Sequence, residues 1–279
     1  MKKTVSIVLS ALMVAYLSGC SASNSVTTNA QNNSANSTVA STKEPGVLYQ
    51  SATIHSLMQG VYDGETTIKD IKEHGDFGLG TFNELDGEMI LLDSKVYQVK
   101  STGEVKEVED SQKTPFNDVV FFKADKKVTL TDVKDMKDLQ AKLDKELPSK
   151  NIFFAFKSSG KFSYVKTRSV PKQNKPYPVL VEASKQQQFF EKNDVSGTVV
   201  GFKCPSYVEG VNVAGYHLHF LSDDKKFGGH GIDFKADKME VEIQYLYKFN
   251  MNLPSDKEFL NVNLEKNQNK DVEKVESGK

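Results

Sequence analysis

The sequence contains almost no arginine: of its 36 basic residues, all but Arg168 are lysine. It also lacks a charge excess, because 37 acidic residues balance the basic ones, and this argues against a protein that binds nucleic acid. Lysine therefore supplies all of the ordinary positive surface charge. A guanidinium group, whose paired hydrogen bonds lysine cannot reproduce, occurs at one position only.

Cysteine is scarce as well, and the first of the two, Cys20, follows a distinctive segment. This segment consists of a basic start, "MKK", an apolar run, "TVSIVLSALMVAY", that is too short for a comfortable membrane-spanning helix, and the ending "LSGC". The ending resembles the bacterial lipoprotein signal. The resemblance implies that residues 1–19 are removed, that Cys20 is lipidated, and that the protein is exported and anchored to the outer face of the cytoplasmic membrane. An ordinary secretory signal, which would give a secreted protein, is the alternative.

With Cys20 lipidated, Cys204 has no partner for an intramolecular disulfide, and we expect a buried, unreactive thiol there rather than a nucleophile. Residues 20–45 consist mainly of Ser, Asn, Thr and Ala, and they have too few apolar side chains to form a core. They predict a flexible tether, with folding beginning near Val47.

Several common functional motifs are also missing: HExxH, a cysteine-rich zinc motif, a glycine-rich dinucleotide fingerprint and a P-loop. Two segments, "TTIKDIKEHGDFG" and "LTDVKDMKDLQAKLDKEL", have helical periodicity, whereas most others are rich in strand formers. We expect "NIFFAFKSSGKFSYVKTRSV" to form two strands joined by a Ser-Ser-Gly hairpin turn, and the polar end of the chain to be frayed. The pattern predicts an α+β fold with mixed β-sheets, few helices and a β-rich carboxyl half.

Three of the five histidines lie in the stretch "VAGYHLHFLSDDKKFGGHG". On a strand, His217 and His219 point to the same face, because side chains two apart lie on one side. A turn centred in "SDDKK" sets His230 opposite His219, with Cβ atoms about 4.5–5.5 Å apart. The glycines beside His230 allow a close approach of the backbone.

These three imidazoles are suited to one zinc ion, and three neutral ligands leave an open coordination position, as in catalytic rather than structural zinc sites. The alternative is a solvent-facing His-x-His pair without a function. We expect His55 and His74 to be structural, His55 because it has no evident partner and His74 because it ends a helix.

Three longer motifs resemble the alpha-acetolactate decarboxylase family. They are "GTVVGFKCPSYVEGVNVAGYHLHFLSDDKKFGGH", "GDFGLGTFNELDGEMILLD" and "RSVPKQNKPYPVL", and the resemblance extends over residues 47–260. It implies a carboxy-lyase that converts (S)-2-acetolactate to (R)-acetoin and CO2 with zinc held by His217, His219 and His230. It also implies a homodimer of two-domain subunits. We expect a mixed-sheet domain at residues 46–160, a β-rich zinc domain at 161–260, and a tail at 261–279 that folds back to the active site.

The resemblance assigns the other half of the active site. Glu88 matches the glutamate of "DGEM", Thr81 the threonine of "GTF", and Arg168 the arginine of "RSVP". The tail glutamate corresponds to Glu276, although Glu273 is close by and the surrounding sequence is uninformative.

The expected chemistry suits these residue types. Zinc serves as Lewis acid and electron sink, Arg168 orients the substrate carboxylate through a bidentate contact, and Glu88 or Glu276 protonates the enediolate. No organic cofactor is needed. The rival interpretations are a non-enzymatic zinc-binding surface lipoprotein and a zinc hydrolase, which gives Arg168 no clear role.

Overall fold

The computed structural model of the protein describes residues 44–278. The predicted signal peptide, the lipidation site Cys20 and nearly all of the predicted tether lie outside these residues. Within the described part, no helix is both long enough and apolar enough to cross a membrane.

The chain forms fourteen strands and six α-helices in the described residues. The strands are β1 (Val47–Ser51), β2 (Thr66–Thr67), β3 (Phe77–Thr81), β4 (Glu88–Leu92), β5 (Lys95–Val99), β6 (Val105–Glu107), β7 (Lys113–Thr114), β8 (Asn117–Val120), β9 (Lys126–Val133), β10 (Phe153–Ser169), β11 (Gln188–Cys204), β12 (Gly215–Ser222), β13 (Gly228–Leu246) and β14 (Lys248–Asn252). The helices are α1 (Ile54–Met58), α2 (Ile68–Lys72), α3 (Met136–Glu146), α4 (Leu180–Ser184), α5 (Lys257–Asn261) and α6 (Asn269–Glu276).

Two large sheets carry the fold. The first has seven strands in the order β14-β1-β8-β3-β4-β5-β6, and it is mixed because β14 runs parallel to β1 whereas the other neighbours are antiparallel. The second has the order β10-β11-β12-β13-β9. Because β13 also pairs with β10, the four strands β10, β11, β12 and β13 close into a ring. A small third sheet joins β2 and β7. The predicted α+β class with mixed sheets and few helices is confirmed.

The two predicted helices form where their sequences cap them. The Thr67 side chain caps α2, and its hydroxyl accepts from the Asp70 amide while the Asp70 carboxylate binds the Thr67 amide. The Asp135 side chain caps α3 by accepting from the Asp138 amide, and Leu139 and Leu143 on the inner face of α3 are buried.

The predicted Ser-Ser-Gly hairpin turn is wrong. Residues 153–169 form one continuous strand of 17 residues, β10, and Ser158, Ser159 and Gly160 stay paired with β11. The turn residues do not break the strand because the hydrogen-bonding partner continues past them on both sides. The predicted domain boundary at residues 160 and 161 falls inside this strand, and the division into two domains stays a prediction.

A shared hydrophobic core connects the two large sheets. One buried cluster contains side chains of the first sheet and of the second, among them Leu48, Phe77, Ile90, Phe202 and Leu221. Each such side chain stabilises the fold by about 1.5–3 kcal/mol when it leaves water. The core therefore fixes the strands of one sheet against those of the other, and the polar residues described next lie at this junction.

The end of the chain is not frayed. Residues 269–276 form α6, and its Val272 and Val275 are buried against a cluster that includes Ile54 and Leu57 of α1 and Leu180 of α4. The composition of this segment is polar because most of the helix surface faces solvent, and two apolar residues suffice to attach it.

Candidate active site

Strand β12 brings two histidines to one face. His217 and His219 point together, while Leu218 between them packs into the core of the second sheet. β13 pairs with β12 so that His230 lies directly opposite His219, which is the predicted register. The three imidazoles are 7%, 0% and 2% exposed, and their ligand nitrogens all lie within 4.8 Å of one another. His217, His219 and His230 are called the histidine cluster below.

The backbone around His230 is shaped for close contact. Gly229 has a φ of 126°, and a Cβ atom there would lie 2.6 Å from the carbonyl oxygen of Arg168. The pairing of β10 with β13 shifts register between Lys166 and Thr167, which sets Arg168 opposite His230. Such an irregularity re-aims the following side chain, so Arg168 reaches the cluster from the neighbouring strand.

The nitrogen atoms of the histidine cluster fit a metal ion. Nε2 of His217 and Nε2 of His219 are 3.2 Å apart, close to the about 3.3–3.4 Å expected for two ligands of tetrahedral zinc with Zn–N bonds of about 2.0–2.1 Å. Nδ1 of His219 donates to the Met89 carbonyl at 2.8 Å. This bond fixes the tautomer and leaves the Nε2 lone pair free toward His217.

Burial keeps the imidazoles neutral. It lowers the pKa of His217 to about 3, and the nearby charge of Arg168 adds to the effect. Burial also holds the pKa values of His219 and His230 well below the usual range. Nε2 of His230 lies 2.9 Å from the Glu276 carbonyl oxygen, which can only accept, so ligation of a metal by this nitrogen replaces that hydrogen bond.

Two carboxyl groups stand against the histidine cluster. Glu88, at the start of β4, has Oε2 at 3.7 Å from Nε2 of His219. Glu276, at the end of α6, has Oε2 at 3.6 Å from Nε2 of His217 and 3.7 Å from that of His230. Burial raises the pKa of each carboxyl to about 7, although the Arg168 charge opposes the shift in both. Each can therefore hold a proton near neutral pH.

Arg168 is buried between these carboxyl groups, with 4% of its surface exposed. Its Nη1 donates to Oε1 of Glu88 at 2.8 Å, and its Nη2 donates to the Val275 carbonyl at 3.4 Å. Its Nε has no hydrogen-bond partner among the described residues. A buried guanidinium with an unused donor is equipped to bind a further anionic group.

All predicted metal and active-site residues except His219 line one small cavity of about 40 Å³. Thr81, Glu88, Arg168, Glu276 and the cluster members His217 and His230 all contribute to it. The Thr81 hydroxyl donates to the Gly87 carbonyl at 2.7 Å, so its oxygen keeps a lone pair for another donor. A larger cleft of about 700 Å³ adjoins the cavity at His230 and Glu276. Exposed residues such as Lys137 and Lys270 line its other end, which gives a route from the surface to the histidine cluster.

The structure brings together every predicted metal and active-site residue that it describes. It also separates the two candidate tail glutamates, because Glu273 is exposed whereas Glu276 lies at the histidine cluster.

Sequence reasoning missed the apolar part of the cavity wall. Ile54 and Leu57 of α1, Phe116, Leu180 of α4 and Val275 of α6 line it. No sequence signal distinguishes these residues from ordinary core residues, since only the fold brings them to the same cavity. The Met89 carbonyl that orients His219 was also missed, because a backbone acceptor has no sequence signature.

The sequence also led to predictions for three residues that do not line the cavity, Cys204, His74 and His55. Cys204 is buried, and burial raises the pKa of its thiol well above the usual value, so it is an unreactive thiol as expected. His74 stacks on Tyr49 with ring centroids 3.9 Å apart, a structural role. His55 is not without a partner, because its Nε2 lies 3.1 Å from Oδ1 of Asn269 on α6.

Comparisons with known proteins identify the family of the chain. The family model for alpha-acetolactate decarboxylase matches residues 48–266. The chain belongs to the alpha-acetolactate decarboxylase family. The predicted family is thereby confirmed, and with it the predicted enzyme class, a decarboxylase.

Individual relatives cover most of the chain. The alpha-acetolactate decarboxylase of Methanosarcina mazei is 47% identical over 230 residues, 82% of this chain and 80% of that protein. The protein of the same name from Brevibacillus brevis is 43% identical over 83% of this chain and 81% of its own length. The crystal structure of alpha-acetolactate decarboxylase from Bacillus subtilis strain 168 superposes with a TM-score of 0.81 at 37% identity, covering 84% of this chain and 100% of that one. The family match ends before α6, so the assignment of Glu276 rests on the geometry of this structure.

Proposed function

We propose that the protein decarboxylates (S)-2-acetolactate to (R)-acetoin and CO2 with a zinc ion held by the histidine cluster. The observation that carries the proposal is the cluster of three buried, neutral histidines, two of which line one cavity with Arg168, Glu88 and Glu276, in a chain of the alpha-acetolactate decarboxylase family.

The donor set favours zinc. Three imidazole ligands are a common set for catalytic zinc, which keeps a fourth position open for substrate. The histidine cluster contains no thiolate, and it does not offer the all-oxygen ligand set that magnesium and calcium prefer. A zinc ion held by the histidine cluster would supply Lewis-acid chemistry, by stabilising the negative charge that develops on the ketone oxygen of the substrate when the electron pair of the broken C–C bond moves into the carbonyl group.

Arg168 binds the substrate carboxylate. Its Nε is unused, and its Nη1 contact with Glu88 holds the guanidinium plane in place, so a carboxylate can be oriented through charge-assisted hydrogen bonds. Burial strengthens this contact because water does not compete for the donors. The apolar side chains of Leu57, Phe116 and Leu180 give the methyl groups of acetolactate a surface from which water is excluded.

Glu276 supplies the proton that completes acetoin. Its Oε2 has no hydrogen-bond partner among the described residues, and burial favours the protonated form of this carboxyl by raising its pKa. Glu88 remains bonded to Arg168 and holds it. A single fixed donor delivers the proton to one face of the enediolate, which accounts for a single acetoin enantiomer.

The deciding experiment uses the chain without residues 1–43. We expect the purified protein to contain about one zinc per chain and to form acetoin from racemic 2-acetolactate in a colorimetric assay, as the three-ligand site requires. The His219→Ala variant should lose both zinc and activity. Background acetoin formation by a fully zinc-loaded protein would contradict the proposal and would favour the non-enzymatic zinc-binding lipoprotein.

We propose further that the protein is exported and held at the outer face of the cytoplasmic membrane through a lipid on Cys20, and that it is a homodimer. The support for the anchor is the segment "LSGC" after a short apolar run. Labelled fatty acid should be incorporated into the full chain in cells and not into the Cys20→Ala variant. Release of an unlabelled wild-type protein into the medium would indicate secretion instead.

A further inference from the structure

The helix α6, which carries Glu276, depends on contacts with the rest of the protein for its stability and orientation. It has eight residues, and Gln268 at its start provides no side-chain cap. Isolated helices shorter than about 12 residues are not stable in water, so contacts with the rest of the protein must fix α6. Val272 and Val275 attach it to the apolar cluster, but such contacts are non-directional and leave the angle of the helix loosely defined.

At the carboxyl-terminal end of α6, Arg168 donates to the Val275 carbonyl only at the long distance of 3.4 Å, and the contact of His230 with the Glu276 carbonyl is replaced when this nitrogen ligates a metal. The other directional contacts occur at the amino-terminal end of α6. Oδ1 of Asn269 lies 3.1 Å from Nε2 of His55, and since an amide oxygen only accepts, His55 is the donor. Nδ2 of the same Asn269 donates to the carboxylate of Glu209. Both ends of the Asn269 amide group are thus bound. The oxygen is bound by His55 of α1, and the nitrogen by Glu209 in the connection between β11 and β12. Gln59 makes a further contact with Gln268.

His55 is itself fixed by the body of the protein. It belongs to α1, whose start is closed by a capping box of Thr53 and Ser56. Its backbone N–H donates to the Gly210 carbonyl at 3.3 Å. Its ring lies against Gly210, where a Cβ atom would be only 3.0 Å from Cε1, and the φ of 85° also favours glycine there. The position of the imidazole is therefore defined by contacts with residues outside α6.

The length of α6 makes this contact matter for Glu276. Asn269 and Glu276 are at opposite ends of the helix, about 10 Å apart at 1.5 Å per residue. A tilt of about 10° at Asn269 therefore moves Glu276 by about 2 Å. The carboxyl oxygen of Glu276 is 3.6 Å from His217 and 3.7 Å from His230, and a displacement of that size would remove it from the cluster.

We propose that His55 is a positioning residue for Glu276. It acts through Asn269, with Glu209 as the third member, and sets the angle of α6 so that the Glu276 carboxyl stands at the histidine cluster. This role rests on the proposed function of Glu276 as the proton donor, and it replaces the purely structural role that the sequence suggested for His55.

The test is a double-mutant cycle in the zinc-loaded enzyme. His55→Ala should lower kcat about tenfold or more, because misplacement of a catalytic group by about 1 Å costs up to about 100-fold, and it should change KM less. His55→Gln keeps an N–H donor and should recover most of kcat. If His55 acts only through Glu276, the variant with both His55→Ala and Glu276→Gln should be no slower than Glu276→Gln alone. His74→Ala, the loss of a histidine that stacks on Tyr49 away from α6, is the matched control and should keep normal kcat.

A second measurement is independent of turnover. Trypsin should cut His55→Ala faster than the wild type at the exposed Lys266, Lys270 and Lys274, while zinc content stays near one per chain. Unchanged kcat in His55→Ala, additive losses in the double variant, or full activity in Glu276→Gln would each overturn the positioning role. If the wild type forms no acetoin at all, the proposed function fails, and unchanged trypsin cleavage in His55→Ala would then overturn the fixing of α6 separately.

Discussion

At the residue scale, Arg168 connects the two carboxyl groups with the histidine cluster. Its charge lowers the pKa of the cluster members His217 and His230 and opposes the burial that raises the pKa values of Glu88 and Glu276. Removing the charge alone would therefore disturb every titrating group of the cavity. A substitution that keeps the charge and changes only the geometry is more informative.

Arg168→Lys makes that change. The ammonium group retains the positive charge but cannot hold Glu88 and bind a planar carboxylate through paired hydrogen bonds at the same time. We expect kcat/KM for acetolactate to fall about 100-fold or more while zinc content stays near one per chain. Lys166→Arg is the control and should behave as wild type, because this half-buried lysine of the same strand forms an ion pair with Glu191. Near-normal kcat/KM in Arg168→Lys would show that the guanidinium does not orient the substrate.

At the scale of elements, the cavity is made by pieces that are far apart in the sequence. β4 supplies Glu88 and the Met89 carbonyl, β10 supplies Arg168, the β12–β13 hairpin supplies the histidines, and α6 supplies Glu276. The hairpin and β10 are held by continuous strand pairing. α6 is attached by two buried valines and the contacts of Asn269, so it is the element that can be removed with the least effect on the rest.

Truncation after Leu264 removes α6. We expect zinc content to remain near one per chain, because all three histidines lie on the retained strands, and kcat to fall about 100-fold or more, because the proton donor is lost. Metal analysis and the acetoin assay on the same preparation measure both quantities. The control is Glu273→Gln in the full chain, which changes an exposed carboxyl group of the same helix. A truncated enzyme with full activity would show that the tail glutamates are dispensable.

At the scale of the whole molecule, a buried carboxyl group lies where the two large sheets meet. Asp118 of β8 is fully buried, and its Oδ1 accepts from Nδ2 of Asn212, which also donates to Gln50 of β1. Oδ2 of Asp118 has no hydrogen-bond partner among the described residues. Burial raises the pKa of this carboxyl from 3.8 to about 7, and the hydrogen bond from Asn212 offsets only part of that.

The raised pKa makes the free energy of unfolding depend on pH with a definite sign. In the unfolded chain the Asp118 carboxyl loses its proton near pH 3.8, and in the folded protein only near pH 7, so its contribution to stability decreases as pH rises between these values. Asp118→Asn has no such titration. We expect the free energy of unfolding of the variant to rise relative to that of the wild type by about 1–3 kcal/mol as the pH increases from about 5 to about 8. The slope of this difference is at most about 1.4 kcal/mol per pH unit.

Urea unfolding of both proteins at several pH values measures this difference. The contributions of titrating groups that do not interact with Asp118 are common to the two proteins and cancel in the comparison. A stability difference that stays constant from pH 5 to pH 8 would mean that Asp118 titrates normally in the folded protein.

The sequence by itself determined the local features of the site. The two-residue spacing of His217 and His219 defines one face of a strand wherever that strand lies, and the hairpin register that pairs His219 with His230 follows from the turn between them. The motifs around Glu88 and Arg168 identified the family. These predictions needed only short-range geometry or a long, specific string of residues.

Only the tertiary structure decided the rest. The Ser-Ser-Gly segment has the composition of a turn, yet the pairing of β10 with β11 keeps it extended, because hydrogen bonds to a neighbouring strand outweigh a weak local preference. Glu276 and Glu273 are equivalent in composition, and the angle of α6 alone sends one to the histidine cluster and the other to solvent. That angle depends on contacts between residues more than 200 positions apart, such as His55 and Asn269, and no pattern in a single sequence encodes which distant side chains meet.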